Sequence, residues 1–352
     1  MTEVPGILQF DHFAVVSHRS RHHAQHGGYA KLADYLPGEI ITVEKSKVPY
    51  RLRRLAAHYA YAASYDSDSA TKEIALFSHM MKRPGGAAFF LNGEHDFNYT
   101  ATTAGLFRWR TAATFHKPPD ELRQHYRPGS LRHIGAAVAV GSNQVETLRE
   151  LTGHDRVRFI PHGIDPDFFS PSPRPAEYTQ NCIFVGQHYR DFETLRIVGD
   201  ALSQRFPGLK INVLVTRHFQ SRLAPRDWMI VQSGLDDETL RDLYRKSSCL
   251  LLPLRDATAC NAILEALGCG TPIVTTDVGG VRDYMDETCG YICPPRDADA
   301  MIEAATTLLT NPDRNLKLRL AGPPYAARFR WEVVSAAILD FLHETLGITV
   351  AS

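Results

Sequence analysis

The sequence has no charge excess of either sign, since Lys+Arg and Asp+Glu are balanced at 39 each. Without a field of one sign over the whole molecule, nothing favours nucleic acid as a partner. Long apolar runs are also missing, and none approaches the roughly 20 residues of a membrane span. The opening MTEVPGILQFDHF has neither the basic nor the long apolar region of a signal peptide. Cytoplasmic residence is therefore expected, with peripheral attachment to a membrane left open. No cysteine precedes Cys182, and Cys289-x-x-x-Cys293 has no second pair at zinc-ribbon spacing. The six cysteines read as reduced structural thiols, and no metal site is assigned. No G-x-G-x-x-G follows the first strand of either half, which argues against a dinucleotide-dependent oxidoreductase.

What is present is most concentrated between Arg255 and Tyr284. A short apolar strand, Leu250-Leu251-Leu252, is ended by Pro253, and a small polar turn follows over Asp256-Ala257-Thr258-Ala259-Cys260. The next segment carries Asn261, Ile263, Leu264, Glu265 and Leu267 and stops at Gly268 and Gly270, as a helix does. Thr271-Pro272 then launches a second strand, and Gly279-Gly280 turns the chain. Strand, loop, helix and strand in about 30 residues make one βαβ unit.

Small residues ahead of the helix allow a ligand close to the backbone, and the first helical amides attract anions. Asn261 and Glu265 are four apart and share a helix face. A carboxylate placed there can accept hydrogen bonds from a sugar diol, such as a ribose. A surface Glu on an amphipathic helix would look the same in isolation; the whole string decides. N-x-x-x-E-A-L-x-C-G-T-P-I-V from Asn261, followed by D-V-G-G from Asp277, resembles the donor-site signature of glycosyltransferase family 4.

That resemblance implies an α/β chain of GT-B fold, with two Rossmann-like doubly wound parallel-sheet domains facing a cleft. It implies a C-terminal helix that crosses back to the first domain, and sugar transfer with retained anomeric configuration. The co-substrates implied are a nucleotide-sugar donor, UDP-sugar before GDP-sugar, and a hydroxyl-bearing acceptor that is a saccharide, lipid-linked or a small molecule. No cofactor and no metal are required. Carried onto this chain, the donor-binding positions are Gly186, Arg190, Arg255, Asp256, Thr258, Ala259, Cys260, Asn261 and Glu265. Two positions depart from the family pattern. Ala257 stands where family members often have Glu, and Gln187 stands where they usually have Arg. Arg190 is then the cation available for the leaving diphosphate, with Arg255 as a second.

The first half alternates strands and helices. Phe13-Ala14-Val15-Val16-Ser17 is a strand, followed by a histidine- and arginine-rich stretch that contains His18 and leads to Gly27-Gly28. A glycine pair between strand and helix suits a phosphate or a sugar hydroxyl, and the family carries a glycine-rich loop here. Around Arg51, Arg53 and Arg54 a basic helix is expected; a solvated face is preferred over a membrane-surface one. Asp66-Ser67-Asp68 does not follow an apolar strand and reads as a turn or a helix cap. Ala87–Leu91 should deliver Glu94, His95 and Asp96 at its C-terminal end, where α/β sites form; with His18 these are the acceptor candidates. The strand Ala112–Phe115 delivers His116, and family members commonly place a histidine there beside the donor sugar. His116 and Arg190 are the catalytic candidates.

Residues 1–165 are thus expected as an acceptor-binding domain and 166–178, rich in proline and serine, as a linker. A donor-binding domain follows over 179–328. Residues 329–352 form a terminal helix with Val334, Ile338, Phe341, Leu342 and Leu346 at helical spacing. Two other readings are retained: a non-catalytic GT-B protein that binds a nucleotide or glycan, and a nucleotide-sugar epimerase of the same fold. Oligomeric state and acceptor identity are not legible.

Overall fold

The computed structural model describes residues 12–17, 26–43, 49–60, 64–172 and 181–348. These form two compact units. One contains the described residues of 12–17, Gly28–Pro161 and 331–348; the other contains 26–27 and His162–Arg330.

The first unit is built on β1 (Phe13–Val16), β2 (Glu39–Ile41), β3 (Gly86–Phe90), β4 (Trp109–Phe115), β5 (Ala136–Ala139) and β6 (Val157–Phe159). All pairs are parallel, in the order β2-β1-β3-β4-β5-β6. Every residue of β1, β3 and β5 is buried. That explains why these strands read as unbroken apolar runs: parallel strands are covered on both faces. The helix Trp331–Leu346 belongs to this unit, with Val334, Ile338, Phe341, Leu342 and Leu346 on its buried side. Arg110 donates to the Leu346 carbonyl at 2.8 Å. Asp66 caps the helix Ser67–Lys82 by accepting from the amides of Asp68 and Ser69. The helix Tyr50–His58 leaves Leu52 and Leu55 exposed beside Arg51 and Arg54. Among the described residues no helix is long and apolar enough to cross a membrane.

The second unit has β7 (Asn181–Val185), β8 (Lys210–Leu214), β9 (Met229–Gln232), β10 (Cys249–Leu252), β11 (Ile273–Thr276) and β12 (Gly290–Cys293). Their order, β12-β11-β10-β7-β8-β9, is again wholly parallel. Successive residues alternate between two cores: Ile183 and Leu250 face one, Cys182 and Leu251 the other. Cys182 and Cys249 are register partners with sulfurs 3.5 Å apart, and all six cysteines are buried thiols.

The chain enters the second unit at His162, earlier than the boundary expected at residue 165. Ile164 pairs with Arg330 in a parallel bridge and donates its amide to the Phe329 carbonyl at 2.8 Å, so this segment is part of the second unit's structure. The expected linker is also packed where it begins. Phe169 is fully buried, and a Cβ on Gly268 would run into its carbonyl oxygen. Residues 173–178 of that stretch lie outside the described residues.

Candidate functional site

In the second sheet the strand order reverses between β7 and β10. Loops leaving two such strands diverge to opposite faces and open a crevice, the usual ligand position in a doubly wound sheet. Here the loops after β7 and β10 run side by side at that point. Arg190 and Leu254 form an antiparallel bridge, Arg255 donates its amide to Tyr189 at 2.8 Å, and Asp191 donates its own to Pro253 at 2.9 Å.

Gly186 opens the first loop with φ of +93°, a left-handed conformation natural to glycine. A side chain there would meet the Arg190 guanidinium, because Arg190 folds back across this glycine. Its Nε donates to the Val185 carbonyl and its Nη1 to the His188 carbonyl, each at 2.9 Å, while Nη2 lies 3.4 Å from the Cys260 sulfur. The cation is therefore pinned beside the start of the Asn261–Gly268 helix. Cys260, the N-cap, contributes no side-chain hydrogen bond there. Helix amides and a fixed guanidinium together favour an anion. Arg255 is placed differently: its side chain is 66% exposed and its Nε approaches Asp191 only to 3.8 Å.

The second loop is buttressed from below. Gly280 donates its amide to the Ala257 carbonyl at 2.8 Å, and Cβ atoms on Gly279 and Gly280 would collide with the carbonyls of Ala257 and Thr258. This close approach explains the paired glycines of D-V-G-G. Ala257, Thr258 and Cys260 are buried, whereas Asp256, Ala259 and Asn261 are half-buried, and Asp256 accepts from the Ala257 amide.

Glu265 is not on the surface. It is buried, and its Oε2 accepts the Tyr244 hydroxyl at 2.9 Å. Burial pushes the carboxyl up to about 7; Asp237 adds to this, while the Tyr244 bond and Arg190 oppose it. Tyr244, the partner of Glu265 on the helix Asp237–Lys246, was missed by sequence reasoning.

His26 and Gly27 also fall in the second unit. His26 Nδ1 bonds Asp165 at 2.8 Å, its amide donates to Asp237 at 2.9 Å, and its ring stacks on Phe168 at 3.7 Å. Although burial works against it, the bonds from His26 and Phe168 hold Asp165 below its ordinary value. Gly28, at φ of +80°, precedes the 3-10 helix Tyr29–Asp34 of the first unit.

In the first unit, His116 follows β4 and is half-buried. Its Nε2 donates to the Leu91 carbonyl at 2.8 Å. Tyr29 packs edge-on against it at 4.6 Å. Lys117, which sequence reasoning missed, pairs with Glu121 and lies 3.2 Å from His125 Nε2.

The acceptor candidates divide. His95 is half-buried and bonds the Ser64 carbonyl at 3.0 Å. His18 lies outside the described residues. Glu94 and Asp96 need correction, because neither presents its carboxylate to solvent. Glu94 is 1% exposed, and its Oε1 accepts from the amides of His116 and Lys117, so it braces β3 against β4. Asp96 is wholly buried in an ion pair with Lys72 and accepts from Ser69. Releasing it to an acceptor would strand a buried charge at a cost of about 3–5 kcal/mol. Beside them Glu73, also unforeseen, gathers the amides of Asn98, Tyr99 and Thr100 and the Tyr65 hydroxyl. The available signal was a Lys-Glu pair at 72–73 between buried Ala70 and Leu76.

The family model described as Glycosyl transferases group 1 matches residues 181–311. A D-inositol 3-phosphate glycosyltransferase of Xylanimonas cellulosilytica is 25% identical over 238 residues, 58% of this chain and 56% of the relative. The phosphatidyl-myo-inositol mannosyltransferase of Mycobacterium leprae is 25% identical over 234 residues, 63% of this chain and 62% of the relative. The chain thus spans little more than half the length of the curated relatives it matches. Among solved structures, a sucrose-phosphate synthase from Thermosynechococcus elongatus aligns over 95% of this chain and 98% of its own, with a TM-score of 0.68 at 16% identity. Anabaena HepE in complex with UDP and glucose aligns over 94% and 99%, with a TM-score of 0.65 at 14% identity. Residues 181–311 thus match the model of the group 1 glycosyl transferases, in an α/β chain of GT-B fold.

Proposed function

We propose that this chain is a retaining glycosyltransferase that moves a sugar from a nucleotide-sugar donor to a hydroxyl of a saccharide, lipid-linked or small-molecule acceptor. The observation that carries the reading is the switch point of the second sheet, where Arg190 is pinned beside the Asn261–Gly268 helix and Glu265 sits one turn further on. Such a site has a cation and helix amides for a diphosphate, and a carboxylate for a ribose. A UDP-sugar is the first choice of donor and a GDP-sugar the second; the relative crystallised with UDP and glucose supports that order.

Breaking a glycosyl–phosphate bond leaves negative charge on the diphosphate and an oxocarbenium-like sugar. The leaving group then needs preorganised positive potential more than it needs an acid. Arg190 and the helix amides supply it in this proposal, so no metal or other cofactor is assigned. His116 is the residue of the first unit assigned to the chemical step. With retention, the acceptor attacks on the face of the leaving group, and the departing phosphate takes its proton. No carboxylate base is then called for, in keeping with Glu94 and Asp96 being committed inside the fold.

One observation favours the non-catalytic alternative: Ala257, in place of the family's Glu, is buried with its carbonyl engaged by Gly280. The experiment that separates the two is a binding screen over UDP-, GDP-, ADP- and dTDP-sugars, followed by product analysis with the best donor. Transfer, or slow hydrolysis of that donor, supports the enzyme. Binding without any turnover supports the alternative.

A further inference from the structure

Tyr244 is the buried residue of the helix Asp237–Lys246, which otherwise turns partly or fully to solvent. It is anchored at both ends. Its carbonyl accepts the Thr271 hydroxyl at 2.7 Å and the Ser247 amide at 3.1 Å, and its hydroxyl donates to Glu265. Thr271 closes the segment that follows the Asn261–Gly268 helix, so Tyr244 grips that helix through its carboxylate and through its C-terminal exit.

A buried tyrosine needs an acceptor for its hydroxyl, but a backbone carbonyl would serve. Using a carboxylate means burying a charge, which packing alone does not reward. Among the described residues, the charged groups around Glu265 act on it through space and its direct side-chain bond is to the Tyr244 hydroxyl. Tyr244 and Asp237 approach from one helix, Arg190 from the loop after β7, and Cys269 from the end of its own helix. Arg190 is already folded onto Val185, His188 and Cys260. The protein thus fixes one oxygen of the carboxylate, Oε2, with a rigid aromatic donor and does not engage Oε1 in that bond.

We propose that Tyr244 is the positioning residue of this site: by holding Oε2 it turns Oε1 of Glu265 toward a ribose diol and makes the site select ribonucleotides over deoxyribonucleotides. This rests on the reading of the site as a nucleotide-sugar site and adds the residue that sets its sugar selectivity. The Tyr244 hydroxyl is a positioning group, since it touches Glu265 and not the nucleotide.

Tyr244→Phe removes the hydroxyl and keeps the ring that packs in the core, and Glu265→Gln keeps an acceptor for Tyr244 while removing the charge. Calorimetry with UDP, GDP and their 2′-deoxy counterparts, from pH 6 to pH 9, reads the effect on proteins checked for native melting. Tyr244→Phe is expected to bind UDP or GDP about tenfold more weakly, with the deoxy counterpart changing less than about twofold. The pH at which affinity is half-maximal should move upward, because a bond that favours the ionised carboxylate is gone. If Tyr244→Phe leaves both the ribose preference and this pH unchanged while Glu265→Gln abolishes the preference, the positioning role is overturned and the nucleotide reading survives. If the wild-type protein binds neither ribonucleotide, or Glu265→Gln leaves the preference intact, the nucleotide reading itself falls. Should Tyr244→Phe melt abnormally, a pH-independent ribose preference in the wild-type protein would overturn the role in its place.

Discussion

Glu94 holds His116 by its backbone: one carboxylate oxygen accepts the N–H of His116 and, at 2.7 Å, that of Lys117. The orientation of the His116 ring is then completed by its bond to Leu91, the residue that follows β3. Glu94→Ala should leave two amides unsatisfied and let the end of β4 relax. Stability is expected to fall by about 2–3 kcal/mol, since hydrogen bonds to a charged group are the strong ones. Turnover should fall with it. Glu94→Gln, which retains an acceptor oxygen, should recover much of the stability in urea melts. Equal stability of wild type and Glu94→Ala would show that water replaces the brace.

Arg190 should matter to whatever carries phosphate. Arg190→Ala is expected to weaken UDP-glucose and UDP by ten- to a hundredfold, the loss of about 1.5–3 kcal/mol, and to leave uridine almost unaffected. The guanidinium crosses Gly186 closely enough that Gly186→Ala should displace it and give a milder version of the same selectivity. If Arg255→Ala shows the larger phosphate-selective loss by calorimetry, the exposed arginine holds the diphosphate.

His116 should separate chemistry from binding. His116→Ala is expected to lower kcat about a hundredfold while UDP affinity, held by the second unit, changes less than twofold. That split is the mark of a group acting in the transition state. NMR of the new linkage should show the donor's anomeric configuration retained. An inverted linkage would demand a base and would break the assignment.

The sheets and the donor loop were readable from sequence because their signals are local. A parallel strand is a short apolar run, and the glycines at 279 and 280 mark close approaches to the carbonyls of Ala257 and Thr258. What could not be read was which polar groups are spent inside the fold. Asp96 follows a strand, as a ligand group would, yet its side chain meets Lys72 from a helix distant in sequence. Glu94 is placed just as suggestively, and its use as a brace depends on the register of β3 against β4. Tyr244 lies in DETLRDLYRK, where the charged majority hides one inward-facing ring. Residue type shows what a side chain can do; only packing shows what it is already doing.

Glu265 gives a test of that packing through pH. Burial raises its carboxyl from an ordinary 4.5 to about 7 in the folded protein. Below about 4.5 the group carries its proton in both states and contributes no pH dependence. Between those values the unfolded chain releases the proton and the folded chain keeps it, so rising pH favours unfolding; above about 7 the penalty is complete. A separation of that size corresponds to about 3 kcal/mol. Glu265→Gln has no proton to lose. Its stability in urea should therefore overtake that of the wild type as pH rises from 5 to 8, by up to that amount. Nucleotide should act in the opposite direction: ribose hydroxyls donate to the ionised form, so UDP affinity of the wild type should increase from pH 6 to pH 8 and that of Glu265→Gln should not. Parallel stability profiles for the two proteins would mean that Glu265 ionises in the folded protein as easily as in water, and the buried dyad with Tyr244 would lose its role.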